Sequence, residues 1–156
     1  MRRKRNYQRE FKGDVVYGNV AVTRFINYLM EGGKKSTAEK VMYDAMKVVG
    51  VKLKAEPLLV FEKAMENAAP VVEVSSRRIG GANYQIPQEV SPGRKFILAS
   101  RWIIGAARAK KGSNMSEKLA EEFAAAYKNE GAAIKKKQDT HRMAEANRAF
   151  AHFARR

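Results

Sequence analysis

The chain contains no cysteine. That excludes a disulfide framework, a cysteine nucleophile and a thiolate zinc site, and it fits a reducing compartment. Histidine is almost as scarce. His141 and His152 are the only two, eleven residues apart on one expected helix, without the HExxH spacing of a zinc hydrolase. His141, beside Arg142, reads as a polar helix-surface residue. No apolar run approaches the roughly 18 residues of a membrane span. The basic N-terminus is followed by no apolar stretch, so it is not a secretory signal. Acidic residues number 16 and are scattered, with no cluster suited to Mg²⁺. Glu39 and Glu62 fit a helix cap and a helix face better than an acid–base pair. Gly80-Gly81 belongs to neither a Walker loop nor a dinucleotide fingerprint. No catalytic set emerges, and no cofactor or metal is expected.

What the chain has in abundance is positive charge. Lysine and arginine number 31, giving a formal net charge of +15 over 156 residues. Such a balance favours a polyanionic partner, nucleic acid first. A membrane surface would call for an amphipathic basic helix or a lipidation motif, and no lipidation motif is present. Hydrophobic residues make up 45%, enough for one domain with a real core.

Residues 1–12 hold six basic residues, Arg2, Arg3, Lys4 and Arg5 among them, against Glu10 alone. They lack an apolar face and read as a disordered basic arm that orders on RNA. Asn19 can cap a first helix that buries Val22, Phe25, Ile26, Leu29 and Met30. Gly32-Gly33 ends it. Ser36-Thr37-Ala38-Glu39 reads as a capping box for a second helix burying Val41, Met42, Ala45, Met46 and Val49. Lys34 and Lys35 lie between these helices, where a phosphate could meet free helix amides. Pro57 suits the first position of a third helix with Leu58, Phe61, Met65 and Ala68 inside.

Residues 71–90 are expected to form a β-hairpin. Gly80-Gly81 can take the two positive φ angles of a tight turn. A two-residue turn there puts Arg77 opposite Tyr84 and Ser75 opposite Ile86, with Arg78 and Ser76 on the other face. Neither face of the tip is apolar enough to join a core. The tip should therefore project, offering arginines and an aromatic ring to phosphates and unpaired bases. Pro87 marks an edge strand.

Ser91-Pro92 opens a fourth helix. Arg94, Arg101 and Arg108 recur every seven residues and form one stripe, opposite Phe96, Ala99, Ile103 and Ala107. With Lys95, Lys110 and Lys111 they make six basic residues and no acid, an expected RNA contact. Trp102 suits a core or rim position more than a stacking platform. Met115, Leu119, Phe123 and Tyr127 define a fifth helix ended by Gly131. In the last segment Ile134, Met143, Phe150 and Phe153 can pack, while Lys135, Lys136, Lys137, Arg142 and Arg148 decorate the outside. The expected fold is mainly α: a six-helix bundle, one protruding β-hairpin and the arm.

Several stretches resemble one family, the seventh protein of the small ribosomal subunit, bacterial type. They are Gly33 to Glu39, Glu73 to Gly81, Tyr84 to Pro87, Arg101 to Ile103 and His141 to His152, from the first helix to the C-terminus. The arm up to Tyr17 matches poorly. Lys95 stands where the family usually has arginine, and Ser100 where it has an apolar residue. The resemblance implies a non-enzymatic primary binder of small-subunit ribosomal RNA that organises the subunit head, cytoplasmic and ribosome-bound. It implies RNA contacts from the arm, the first and fourth helices and the hairpin. Arg77, Arg78, Gly80, Gly81 and Tyr84 would lie near messenger RNA and exit-site transfer RNA. The ninth and eleventh small-subunit proteins would be neighbours. Residues 13–156 would form a single RNA-binding domain, monomeric when free. The alternatives are a DNA-binding transcriptional regulator using the Lys34–Lys35 turn and a nucleic-acid enzyme with an unrecognised site.

Overall fold

A computed structural model of the chain describes residues 11–155; Arg2, Arg3, Lys4 and Arg5 lie outside them. Among the described residues the order is α1 (Val20–Leu29), α2 (Lys35–Leu53), α3 (Pro57–Ala68), β1 (Val72–Ile79), β2 (Ala82–Glu89), α4 (Pro92–Ala109), α5 (Met115–Tyr127), α6 (Ala132–Ala146) and a 3₁₀ helix η1 (Arg148–Arg155).

α1 starts as its sequence dictates. The Asn19 side chain accepts from the Ala21 amide at 2.7 Å, and Val22, Phe25, Ile26 and Leu29 are buried. Ahead of it the buried Asp14 carboxylate takes the amides of Val16 and Tyr17 and the Tyr43 hydroxyl, tying this segment to α2. The expected capping box does not form. Gly32 and Gly33 take φ angles of 56° and 75°. That turn sets the Lys34 amide on the Glu31 carbonyl and the Lys35 amide on that of Gly33, at 3.0 and 2.9 Å. Backbone partners thus let α2 begin at Lys35, no side chain caps it, and Glu39 pairs instead with Lys35 at 3.7 Å.

The core centres on three rings from three helices. Phe25, Phe61 and Phe123 meet with centroids 5.4–5.6 Å apart. Phe61 stands edge-on to both others, the arrangement ring quadrupoles favour. Met42, Ala45, Met46 and Val49 of α2 join this cluster, with Leu119 and Ala120 of α5 and Ala99, Ile103 and Ala107 of α4. Trp102 packs against it, half-buried. Ser100 is fully buried, and its hydroxyl donates to the Phe96 carbonyl at 2.8 Å. A polar side chain is thereby satisfied within its own helix.

β1 and β2 pair antiparallel in the expected register, Arg77 opposite Tyr84 and Ser75 opposite Ile86. Gly80 and Gly81 hold φ angles of 57° and 90°, so a Cβ at either would be strained. The base of the hairpin is not free. Ile86 is fully buried, both strands pack on α6, and β2 packs on η1 as well. In the last segment Met143 departs from expectation, whereas Phe150 and Phe153 do pack, and on the hairpin. Met143 is 46% exposed, and Phe150 and Phe153 dock on Tyr84 with centroids at 5.2 and 5.6 Å. The chain leaves α6 at Asn147, and an amphipathic 3₁₀ turn carries these rings to the hairpin.

Candidate nucleic-acid interface

The arginine stripe of α4 lies on its exposed face, but its three members are not equivalent. Arg94 donates from Nε and Nη2 to the Glu73 carboxylate of β1 at 3.3–3.4 Å. This pair clamps the hairpin base to α4. Arg108 donates to the Leu29 carbonyl at 3.3 Å and pairs with Glu31 at 2.8 Å. It thereby places a cation at the C-terminal end of α1, where the helix dipole favours one. Arg101, between them, is exposed and has no hydrogen-bond or ion-pair partner among the described residues. Exposed carboxylate pairs are worth about 1 kcal/mol or less, so Arg94 and Arg108 can exchange their partners for phosphates.

The other expected cations divide similarly. Lys34, Arg78, Lys111, Lys136 and Arg142 are exposed and without ion-pair partners among the described residues. Arg77, Gly80 and Gly81 are exposed at the hairpin tip, and Lys95 is half-buried. Lys110 departs most from expectation. Its ammonium bonds Glu121 at 3.2 Å and Glu122 at 3.0 Å. Glu122 is buried, and its other oxygen finds no hydrogen-bond partner among the described residues. Burial pulls the Lys110 pKa down, but the bonds to Glu122 and Glu121 outweigh it and leave the pKa raised. The ammonium compensates a carboxylate that would otherwise stand alone in the interior, so phosphate has to compete with that pairing. Tyr84 is likewise occupied: two phenylalanine rings already cover it.

Several polar residues have roles that periodicity did not indicate. Arg24 of α1 lies 4.4 Å over the Phe96 ring of α4, which places a further cation beside the stripe. Lys137 donates to the Asn67 carbonyl at 2.7 Å, while the buried Asn67 amide caps the carbonyls of Ala126 and Tyr127. These contacts join α3, α5 and α6. His141 is not a simple surface residue: its Nε2 accepts from the Val71 amide at 3.1 Å and latches α6 to the start of the hairpin. That bond requires a neutral ring protonated on Nδ1.

Burial first, and Lys137 second, lower the His141 pKa below its usual 6.5. The unfolded chain therefore binds this proton more readily. The latch's contribution is fully present above about pH 6.5 and is lost as pH falls through the lower folded pKa. The Val71 amide resonance should titrate with His141, and melting temperature should fall slightly between pH 7 and pH 5. His141→Phe should remove both effects. A Val71 resonance indifferent to pH in the wild type would show that the latch is not formed.

Among the described residues no helix is long and apolar enough to cross a membrane. The family described as ribosomal protein S7p/S5e matches residues 1–148. The match takes in the N-terminal segment that the motifs had placed outside the resemblance. Curated relatives carry the name small ribosomal subunit protein uS7. That of Thermotoga neapolitana is 58% identical over 98% of this chain and 99% of its own. That of Treponema denticola is 56% identical over 90% of each, and that of Maricaulis maris 53% over 97% of each. With a helical body, a two-glycine hairpin and an exposed arginine stripe, the chain belongs to the ribosomal protein S7p/S5e family, structural constituents of the small ribosomal subunit rather than enzymes.

Proposed function

We propose that this protein binds small-subunit ribosomal RNA directly and organises assembly of the subunit head. The single observation that carries this is the exposed α4 stripe. Arg101 is unpartnered among the described residues, and weakly held Arg94 and Arg108 flank it on one rigid helix. A helix packed into the core through Ala99, Ile103 and Ala107 holds these charges at fixed spacing. Converging phosphates release counterions on contact, and the rigid body then keeps RNA segments in one relation. Residues 13–156 act as one binding unit, monomeric when free. The tip, with Arg77, Arg78, Gly80, Gly81 and Tyr84, lies by the messenger exit path and exit-site transfer RNA. The ninth and eleventh small-subunit proteins are neighbours. Family membership favours this reading over a DNA-binding regulator.

Arg101→Ala tests it with little risk to the fold, since its side chain supports no other element. Affinity for small-subunit ribosomal RNA should drop roughly three- to tenfold, and the salt slope by about one. Arg94→Ala should show a smaller loss, because Arg94 only trades Glu73 for a phosphate, plus reduced protection of the hairpin base. RNA binding indifferent to both substitutions would mean that the stripe faces something other than RNA.

A further inference from the structure

A groove of about 530 Å³ opens between the α1–α2 loop and the adjoining ends of α4 and α5. That is within the roughly 300–1,000 Å³ of small-ligand clefts. Its floor is aliphatic, built from Leu29, Val41 and Met115, and its rim carries Lys34 and Arg108. We propose that this groove takes one unstacked RNA nucleotide, its base on the aliphatic floor and its phosphate on Lys34 and Arg108. The proposal rests on the RNA-binding reading and deepens it.

Size, polarity and charge each favour this occupant. The floor can take the flat face of a base, and the polarizable Met115 thioether suits an aromatic ring. The rim has two cations against one carboxylate, Glu31. That carboxylate sits on Arg108 at 2.8 Å, with the two side chains 74% and 43% exposed. Water screens such a pair, so a phosphate oxygen can replace the Glu31 oxygen with little loss. A continuous duplex presents only phosphates and shallow edges here; a nucleotide looped out of the stack can enter.

Two synthetic RNA hairpins test this, identical except for one bulged adenosine. The full-length protein should bind the bulged hairpin about tenfold more tightly, the scale of one stacked base. Thr37→Leu adds bulk at an exposed lining position without changing charge. It should abolish the preference for the bulge and leave affinity for the paired hairpin unchanged. Thr37→Gln provides a second occluding variant, and circular dichroism checks that each is folded. Lys34→Gln should weaken binding of both RNAs. If the bulge preference is absent, or survives both occluding variants, the rim meets phosphates alone and the groove holds no base. If the wild-type protein binds neither hairpin while Lys34→Gln and Arg101→Ala leave ribosomal RNA binding unchanged, the RNA-binding reading itself fails.

Discussion

RNA affinity is expected to fall about a thousandfold between 50 and 200 mM monovalent salt. Six exposed cations, Lys34, Arg78, Arg101, Lys111, Lys136 and Arg142, lack ion-pair partners among the described residues. If each meets one phosphate, the slope of log K against log salt is about −5, and a fourfold rise in salt then costs roughly three orders of magnitude. Arg94 and Arg108 add less, because each already holds a carboxylate and only trades one anion for another. Stacking on aromatic rings would produce little salt dependence, and Tyr84 is already covered by Phe150 and Phe153. Titrations at four or five salt concentrations with a small-subunit ribosomal RNA fragment measure the slope. A value shallower than about −2 would show that shape and stacking dominate over phosphate contact.

Phe123→Ala is expected to destabilise the free protein by about 3–5 kcal/mol. Phe123 is 1% exposed and touches Phe25 and Phe61 at centroid distances of 5.4 and 5.6 Å. Truncation removes the ring's transfer free energy and leaves a cavity between α1, α3 and α5. Rigid helices on several sides limit how far the site can collapse. Against a total stability of about 5–15 kcal/mol for a domain, that is a large share. Chemical denaturation should show a lower midpoint at unchanged slope. Met143→Ala, at a position 46% exposed, should change stability by less than about 0.5 kcal/mol. A Phe123→Ala loss under about 1.5 kcal/mol would mean that the three-ring centre is not where stability resides.

Features written over a few neighbouring residues were legible along the chain. Apolar spacing in α1 marked the buried Val22, Phe25, Ile26 and Leu29, and Asn19 marked its start. Gly80-Gly81 set the hairpin register, because a two-residue turn with two positive φ angles admits one pairing. The heptad of Arg94, Arg101 and Arg108 set a cationic face, since seven residues make nearly two helical turns. Composition alone pointed to a polyanion, and the ordered motifs pointed to the family.

Which of those cations are held, and by what, follows from long-range packing. Glu73 lies 21 positions from Arg94, and the Leu29 carbonyl 79 positions from Arg108. No local pattern encodes pairings at such separations; they exist because the fold lays β1 and the end of α1 against α4. The same holds for Lys110 on the buried Glu122, for His141 on the Val71 amide 70 positions away, and for Arg24 over Phe96. Tyr84 looked like an open stacking platform because its strand neighbours are polar. Only the path of the chain after α6 brings Phe150 and Phe153 onto it. Even the start of α2 was decided by chain path, since the left-handed Gly32-Gly33 turn supplied backbone acceptors and made the Ser36 cap redundant. Periodicity along the chain specifies which face of an element is apolar or charged, whereas the partner of each charge depends on which elements the closed core brings side by side.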